Sequence, residues 1–204
     1  KGSQWHNSIH HDFHPTTNKI SILERPEDLT KLTNICINDM TSQPNDYQTF
    51  ISNLLYRISR IPHLRAFAYT RQYGEIGFLS QLQTCLSSIS FLRIEARIVR
   101  GSLQLDRLEV LYLGVIEYDV GEWSFPSLRH CAIGRGTQFF AFFGSTDRKC
   151  PISPSSLYGL RSLLFYDPWS LRIDKNFWIA YPHLECLGGY WGVDIVDPPP
   201  PGHP

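Results

Sequence analysis

Four histidines, His6, His10, His11 and His14, crowd the start of the chain, with Asp12 among them. Imidazoles at i and i+4 of a helix face each other closely enough to share a metal ion, and a carboxylate would add an oxygen ligand. The segment has no cysteine, lacks H-E-x-x-H and runs into Pro15 with little apolar periodicity. A loosely packed terminal region is the expectation, and no metal site is assigned. Gly134-Arg135-Gly136 has two glycines of a phosphate-binding turn, but lacks the third glycine and any following G-K-S or G-K-T, which leaves a strand-ending turn. Cys131 and Cys150 are candidate nucleophiles with His130 as base, yet adjacent residues on a strand face opposite sides, which separates Cys131 from His130. No G-x-S-x-G elbow is present. The chain is therefore read as a non-enzyme without cofactor. The alternative, a metal-dependent or cysteine-based enzyme, would gain from metal at the N-terminal histidines or thiol reactivity at Cys150.

Composition narrows the partner class. With 42% hydrophobic residues in 204, the chain has material for a continuous core. Basic and acidic residues number nineteen each, so no net field attracts nucleic acid or an anionic membrane, and neither is expected as a partner. The apolar runs, such as Phe139 to Phe143, fall far short of the roughly 20 residues of a membrane-spanning helix. Five scattered cysteines without a C-x-x-C pair point to reduced thiols and an intracellular protein, cytoplasmic or nuclear. The chain starts at Lys1 rather than methionine, which points to a fragment or a processed product.

A pattern L-x-x-Φ-x-Φ, with Φ apolar, recurs seven times. Its anchors are Leu32, Ile35, Ile37; Leu64, Phe67, Tyr69; Ile89, Leu92, Ile94; Leu108, Leu111, Leu113; Leu128, Cys131, Ile133; Leu160, Leu163, Phe165; and Leu184, Leu187, with Gly189 in the last apolar place. Successive first anchors lie 32, 25, 19, 20, 32 and 24 residues apart. The alternation predicts a short strand with one buried face in each copy. Three copies open alike, Ile61-Pro62-His63-Leu64, Phe125-Pro126-Ser127-Leu128 and Tyr181-Pro182-His183-Leu184. Tyr47, Phe50, Ile51, Leu54, Leu55 and Ile58 share one helical face, as do Phe78, Leu79, Leu82, Cys85, Leu86 and Ile89, so these crossovers are expected to be helices and the strands parallel. Ala96–Arg107 and Val115–Pro126 are too short and mixed for a full helix, and turns are expected there.

These motifs resemble leucine-rich repeats over residues 29 to 192, and the Φ-P-x-L-R phrasing is similar to the divergent repeats of fungal F-box proteins. The resemblance implies an α/β fold, a right-handed leucine-rich-repeat-like solenoid of about seven parallel strands forming an open horseshoe segment. Residues 1–28 would be an irregular N-terminal lead-in or cap, and 193–204 a Pro-rich extended tail. The asparagine of the standard repeat is replaced by Met40, Gln72, Arg97, Ile116, Gly136, Pro168 and Gly192. An F-box segment normally precedes such repeats and docks a ubiquitin-ligase adaptor, and residues 1–28 show no such helix pattern. The adaptor would bind through a missing segment.

If the anchors face the core, their neighbours line the concave sheet surface, where this architecture binds proteins. The richest patch there combines Phe91, Arg93, Glu95, Tyr112, His130 and Tyr166, the aromatic and arginine chemistry of interface anchors. Two readings stand at this stage, a protein-binding surface and packing against a missing segment. The function implied is protein recognition, either as the substrate-binding part of an F-box-type ubiquitin-ligase receptor or as a free-standing scaffold.

Overall fold

A computed structural model describes residues 8–13, 32–39, 47–119, 122–134, 152–166, 171–189 and 193–204. In chain order the elements are β1 (Ser8–Phe13), β2 (Asn34–Asp39), α1 (Tyr47–Ile58), β3 (Ala66–Ile76), α2 (Leu79–Cys85) and β4 (Phe91–Arg100). Then follow β5 (Leu103–Gln104), β6 (Val110–Asp119), β7 (Trp123–Ser124), β8 (His130–Ile133), α3 (Pro154–Tyr158) and β9 (Ser162–Phe165). The last are β10 (Leu171–Ile173), α4 (Lys175–Ala180), β11 (Cys186–Gly189) and β12 (Val193–Ile195). Among the described residues no helix is long and apolar enough to cross a membrane.

The protein is α/β, built on an eight-stranded sheet in the order β1-β2-β3-β4-β6-β8-β9-β11, with every pairing parallel. Order along the sheet is thus order along the chain, because each main strand pairs with the next one the chain makes. Parallel neighbours need a crossover, and α1 and α2 supply the first two beyond β2 at the places where apolar residues recur with helical spacing. The next two crossovers carry no helix, as their length predicts. Instead β5 and β7 pair in parallel, and Ile152 bridges to Trp123 beside them. Gly101 enters this outer strand at φ 102°, a conformation open to glycine, and its carbonyl accepts the Trp123 indole N–H at 2.9 Å.

Burial follows the alternation. Ile35, Ile37, Phe67, Tyr69, Leu92, Ile94, Leu111, Leu113, Cys131, Ile133, Leu163 and Phe165 are all buried in one continuous core with the crossover residues Leu54, Leu82, Trp123 and Phe125. Before β4, β6, β8, β9 and β11 comes a tight turn whose two ends are apolar and buried. Leu128 N–H donates to the Phe125 carbonyl at 3.0 Å and Leu184 N–H to that of Tyr181 at 3.2 Å, and proline at the second place of each turn has its φ preset for it. This is the physical content of the Φ-P-x-L phrase. The next residue forms a second recurring feature. The carbonyls of Thr33, Arg65, Ser90, Glu109, Arg129 and Arg161 each accept two successive N–H groups from the following strand's start.

Two segments differ from their sequence-based expectation. Ser8–Phe13, in the stretch expected to be irregular, is an eighth parallel strand in register with Asn34–Asp39. In the segment expected to be an extended tail, Val193–Ile195 pairs with Leu171–Ile173, after which the chain turns back onto α4. Trp178 donates its indole N–H to the Asp197 carbonyl at 2.8 Å, the Asp197 carboxylate accepts from Lys175 N–H, and His203 stands edge-on to Trp178 at 5.0 Å. A buried tryptophan with its N–H satisfied gives the proline segment something to pack on.

Candidate functional site

On the face opposite the core, the pairings align Cys36, Ala68, Arg93, Tyr112, Ala132, Leu164 and Gly188 across seven strands. None of the seven is fully buried. Arg93, on β4, is the pivot. Its guanidinium forms an ion pair with Glu95, two residues along the same face, and lies over the Tyr112 ring at 4.6 Å from the centroid. Tyr112, next door on β6, meets Tyr166 with ring centroids 6.1 Å apart and a 44° tilt. Cation–π contact and aromatic packing each contribute about 0.5–1 kcal/mol at exposed sites, enough to hold side chains in place without burying them.

Glycines make the room. A β-carbon at Gly114 would stand 2.8 Å from Glu95 Cγ, one at Gly134 2.7 Å from Tyr112 Oη, and one at Gly188 2.8 Å from Leu164 Cδ2. Glu95, Tyr112 and Leu164 thus each lean across the next strand into a space that only glycine leaves. Burial and the Glu95 carboxylate raise the Tyr112 phenol above its ordinary value near 10, Arg93 opposes them, and Tyr166 adds a further small push upward. At neutral pH the phenol is a neutral donor beside a compensated ion pair.

Of the six residues singled out from the sequence, four come together: Arg93, Glu95, Tyr112 and Tyr166. Phe91 is half-buried at the start of β4 and His130 exposed at the start of β8, both in the row that precedes Arg93 and Tyr112 along the strands. The roles of Gly114 and Gly134 escaped the sequence reading; for Gly114, which pairs with Glu95, a glycine one strand after a large residue at the same ladder position is a usable signal, whereas Gly134 stands two residues beyond Ala132, the partner of Tyr112. A second polar feature was also missed. Tyr69, expected as an apolar anchor, donates its hydroxyl to Asp39 at 2.6 Å inside the core, with Arg71 Nη1 3.8 Å from the same carboxylate.

The structure places some of the residues behind the catalytic and metal readings. His10 and His11 occupy successive places on a strand, in register with Cys36 and Ile37, so the helical spacing behind the metal reading is not the local geometry; His6 and His14 lie outside the described residues. Among the described residues no group of three or more His, Cys, Asp or Glu could hold a metal. Cys131 is buried while His130 is exposed, on opposite sides of β8. Cys150, Arg135 and Gly136 lie outside the described residues.

Fold and surface together define an α/β protein whose parallel sheet buries one face and presents a guanidinium–aromatic cluster on the other. Comparison with protein families, characterised proteins and solved structures finds no match.

Proposed function

We propose that this chain is a degenerate leucine-rich-repeat-like solenoid that recognises a protein through the open face of its sheet. The repeated turn, the doubly accepting carbonyl and the strand order support the repeat reading, since each unit contacts its sequence neighbours in the same way. One observation supports the recognition reading most: Arg93, Glu95, Tyr112 and Tyr166 are already assembled on that face, with Arg93 46% exposed at its side chain and Tyr166 42% exposed. Preassembled aromatic and guanidinium groups lose little freedom on contact, which is why such residues dominate binding energies. The Arg93–Glu95 pair leaves the patch close to neutral, suited to a partner with aromatic or apolar contacts at its centre rather than to a polyanion.

The more specific form is the substrate-binding part of an F-box-type ubiquitin-ligase receptor, supported by the Φ-P-x-L-R phrasing. Affinity purification of the full-length gene product with mass spectrometry tests it. Recovery of ligase adaptor subunits supports that form, and a reproducible partner without them leaves a scaffold.

A further inference from the structure

Asp174 caps α4, its carboxylate accepting the Asn176 and Phe177 N–H groups, and the helix buries Phe177 and Trp178. The Phe177 ring centroid stands 5.1 Å from that of Trp178 and 4.7 Å from that of Tyr181, so three aromatic rings gather at α4. Beyond β12 the Val196 and Asp197 N–H groups donate to the Ile173 carbonyl. The Trp178 indole N–H donates to the carbonyl of Asp197, the residue immediately before Pro198. A proline-rich segment has no internal donor for its carbonyls. Grooves that recognise one therefore offer it aromatic surface and hydrogen-bond donors together, as an indole does.

Pro198, Pro199, Pro200 and Pro201 follow, all exposed and none with an N–H to donate. His203 N–H then donates to the Pro200 carbonyl at 3.0 Å with Gly202 at φ 88°, the type II turn that a Pro-Gly pair favours. The turn returns His203 to α4, where its ring stands edge-on to Trp178 at 5.0 Å and its Nε2–H donates to the Tyr181 carbonyl at 3.1 Å. Between this segment and the helix lies a cleft of about 490 Å³, walled by Trp178, Ile179 and Pro182 on one side and Pro198, Pro200 and Pro201 on the other. Ile179 lines the cleft and is still 73% exposed, so its apolar wall reaches solvent. The segment bridges the cleft without filling it, and among the described residues one hydrogen bond and one ring contact tie its His203 end to Tyr181 and Trp178. We infer that the cleft is a proline-binding groove held closed by the chain's own residues 198–203, and that a proline-rich peptide of another protein takes their place. The present occupant argues for that partner class, because the groove already holds a proline run.

Fluorescence polarisation of a labelled peptide with the sequence of residues 197–204 tests this on the full chain. A groove that is mostly closed binds in proportion to its open fraction, so freeing it raises the apparent affinity. Gly202→Ala frees it: the added β-carbon meets nothing within 4 Å, and the change acts only through the φ of 88°, which disfavours any residue with a side chain. The peptide is expected to bind Gly202→Ala about tenfold more tightly than the wild type. His203→Ala removes the two contacts of the far end, leaves the turn sequence intact and carries the same expectation. Adding Ile179→Glu to Gly202→Ala should weaken binding at least about tenfold. A peptide with alanine in place of the four prolines should not bind. Circular dichroism and melting temperature establish that the variants fold. The inference is overturned if the peptide binds neither opened variant at millimolar concentration or binds them no more tightly than the wild type. It is equally overturned if the alanine peptide binds as well or Ile179→Glu leaves binding unchanged.

Discussion

Down one side of the sheet the row Ile35, Phe67, Leu92, Leu111, Cys131 and Leu163 is sealed from water. One residue further along each strand, Cys36, Ala68, Arg93, Tyr112, Ala132 and Leu164 remain partly open. The two rows share strands, register and strand spacing and differ in the face of the sheet on which their side chains stand. The buried row is apolar throughout, because every place faces the layer between sheet and crossovers. On the open face bulk leans over absence, Tyr112 over Gly134 and Leu164 over Gly188. Burial demands an apolar side chain at every place; an exposed surface demands shape at particular places.

This contrast can be broken at either row. Leu111→Ala removes a fully buried side chain at the centre of the sheet, and urea unfolding should show a loss of about 2–5 kcal/mol. A loss under about 1 kcal/mol would mean that the buried row is not packed as described.

Gly134→Ala comes next. Its β-carbon would stand 2.7 Å from Tyr112 Oη and 3.2 Å from Gly114 Cα, so the tyrosine must lift away. The expected cost is about 1–3 kcal/mol, shrinking in a Tyr112→Ala background where the obstruction is gone. Equal costs in both backgrounds would remove the fitted tyrosine from the account.

A smaller effect is expected in alkali. Because the folded Tyr112 phenol holds its proton more tightly than the unfolded one, its contribution is intact below pH about 10 and is lost as pH rises through the folded value. Thermal melts should therefore decline less steeply above pH 10 in Tyr112→Phe than in the wild type. Identical slopes would show the phenol to be insensitive to its neighbours.

The smallest stability change belongs to Arg93→Ala. Its guanidinium is half exposed, and removing it should shift stability by no more than about 0.5 kcal/mol. A larger loss would mark Arg93 as packing rather than surface.

Much of the buried row was legible because burial acts on each residue's own type: L-x-x-Φ-x-Φ alternates and the strands follow. Helices α1 and α2 were legible for the same reason at helical spacing. β1 was hidden because Ser8-Ile9-His10-His11-Asp12-Phe13 is mostly polar, and its pairing depends on a strand more than twenty residues away. The two-residue strands β5 and β7 are too short for any periodicity to register. For the open face, the register placed Arg93 beside Tyr112, but the leaning of Tyr112 over Gly134 depends on a rotamer and a neighbouring strand. Asp39 in the core was illegible because its hydroxyl partner, Tyr69, reads as an apolar anchor.

The recognition claim is tested most directly by quantitative affinity purification with the wild type and with an Arg93→Ala, Tyr166→Ala double variant, the melting temperature of both being measured alongside. The account predicts proteins whose recovery falls at least about tenfold with the double variant while the melting temperature is nearly unchanged. Equal recovery by both proteins, or a collapse in the melting temperature of the variant, would contradict it.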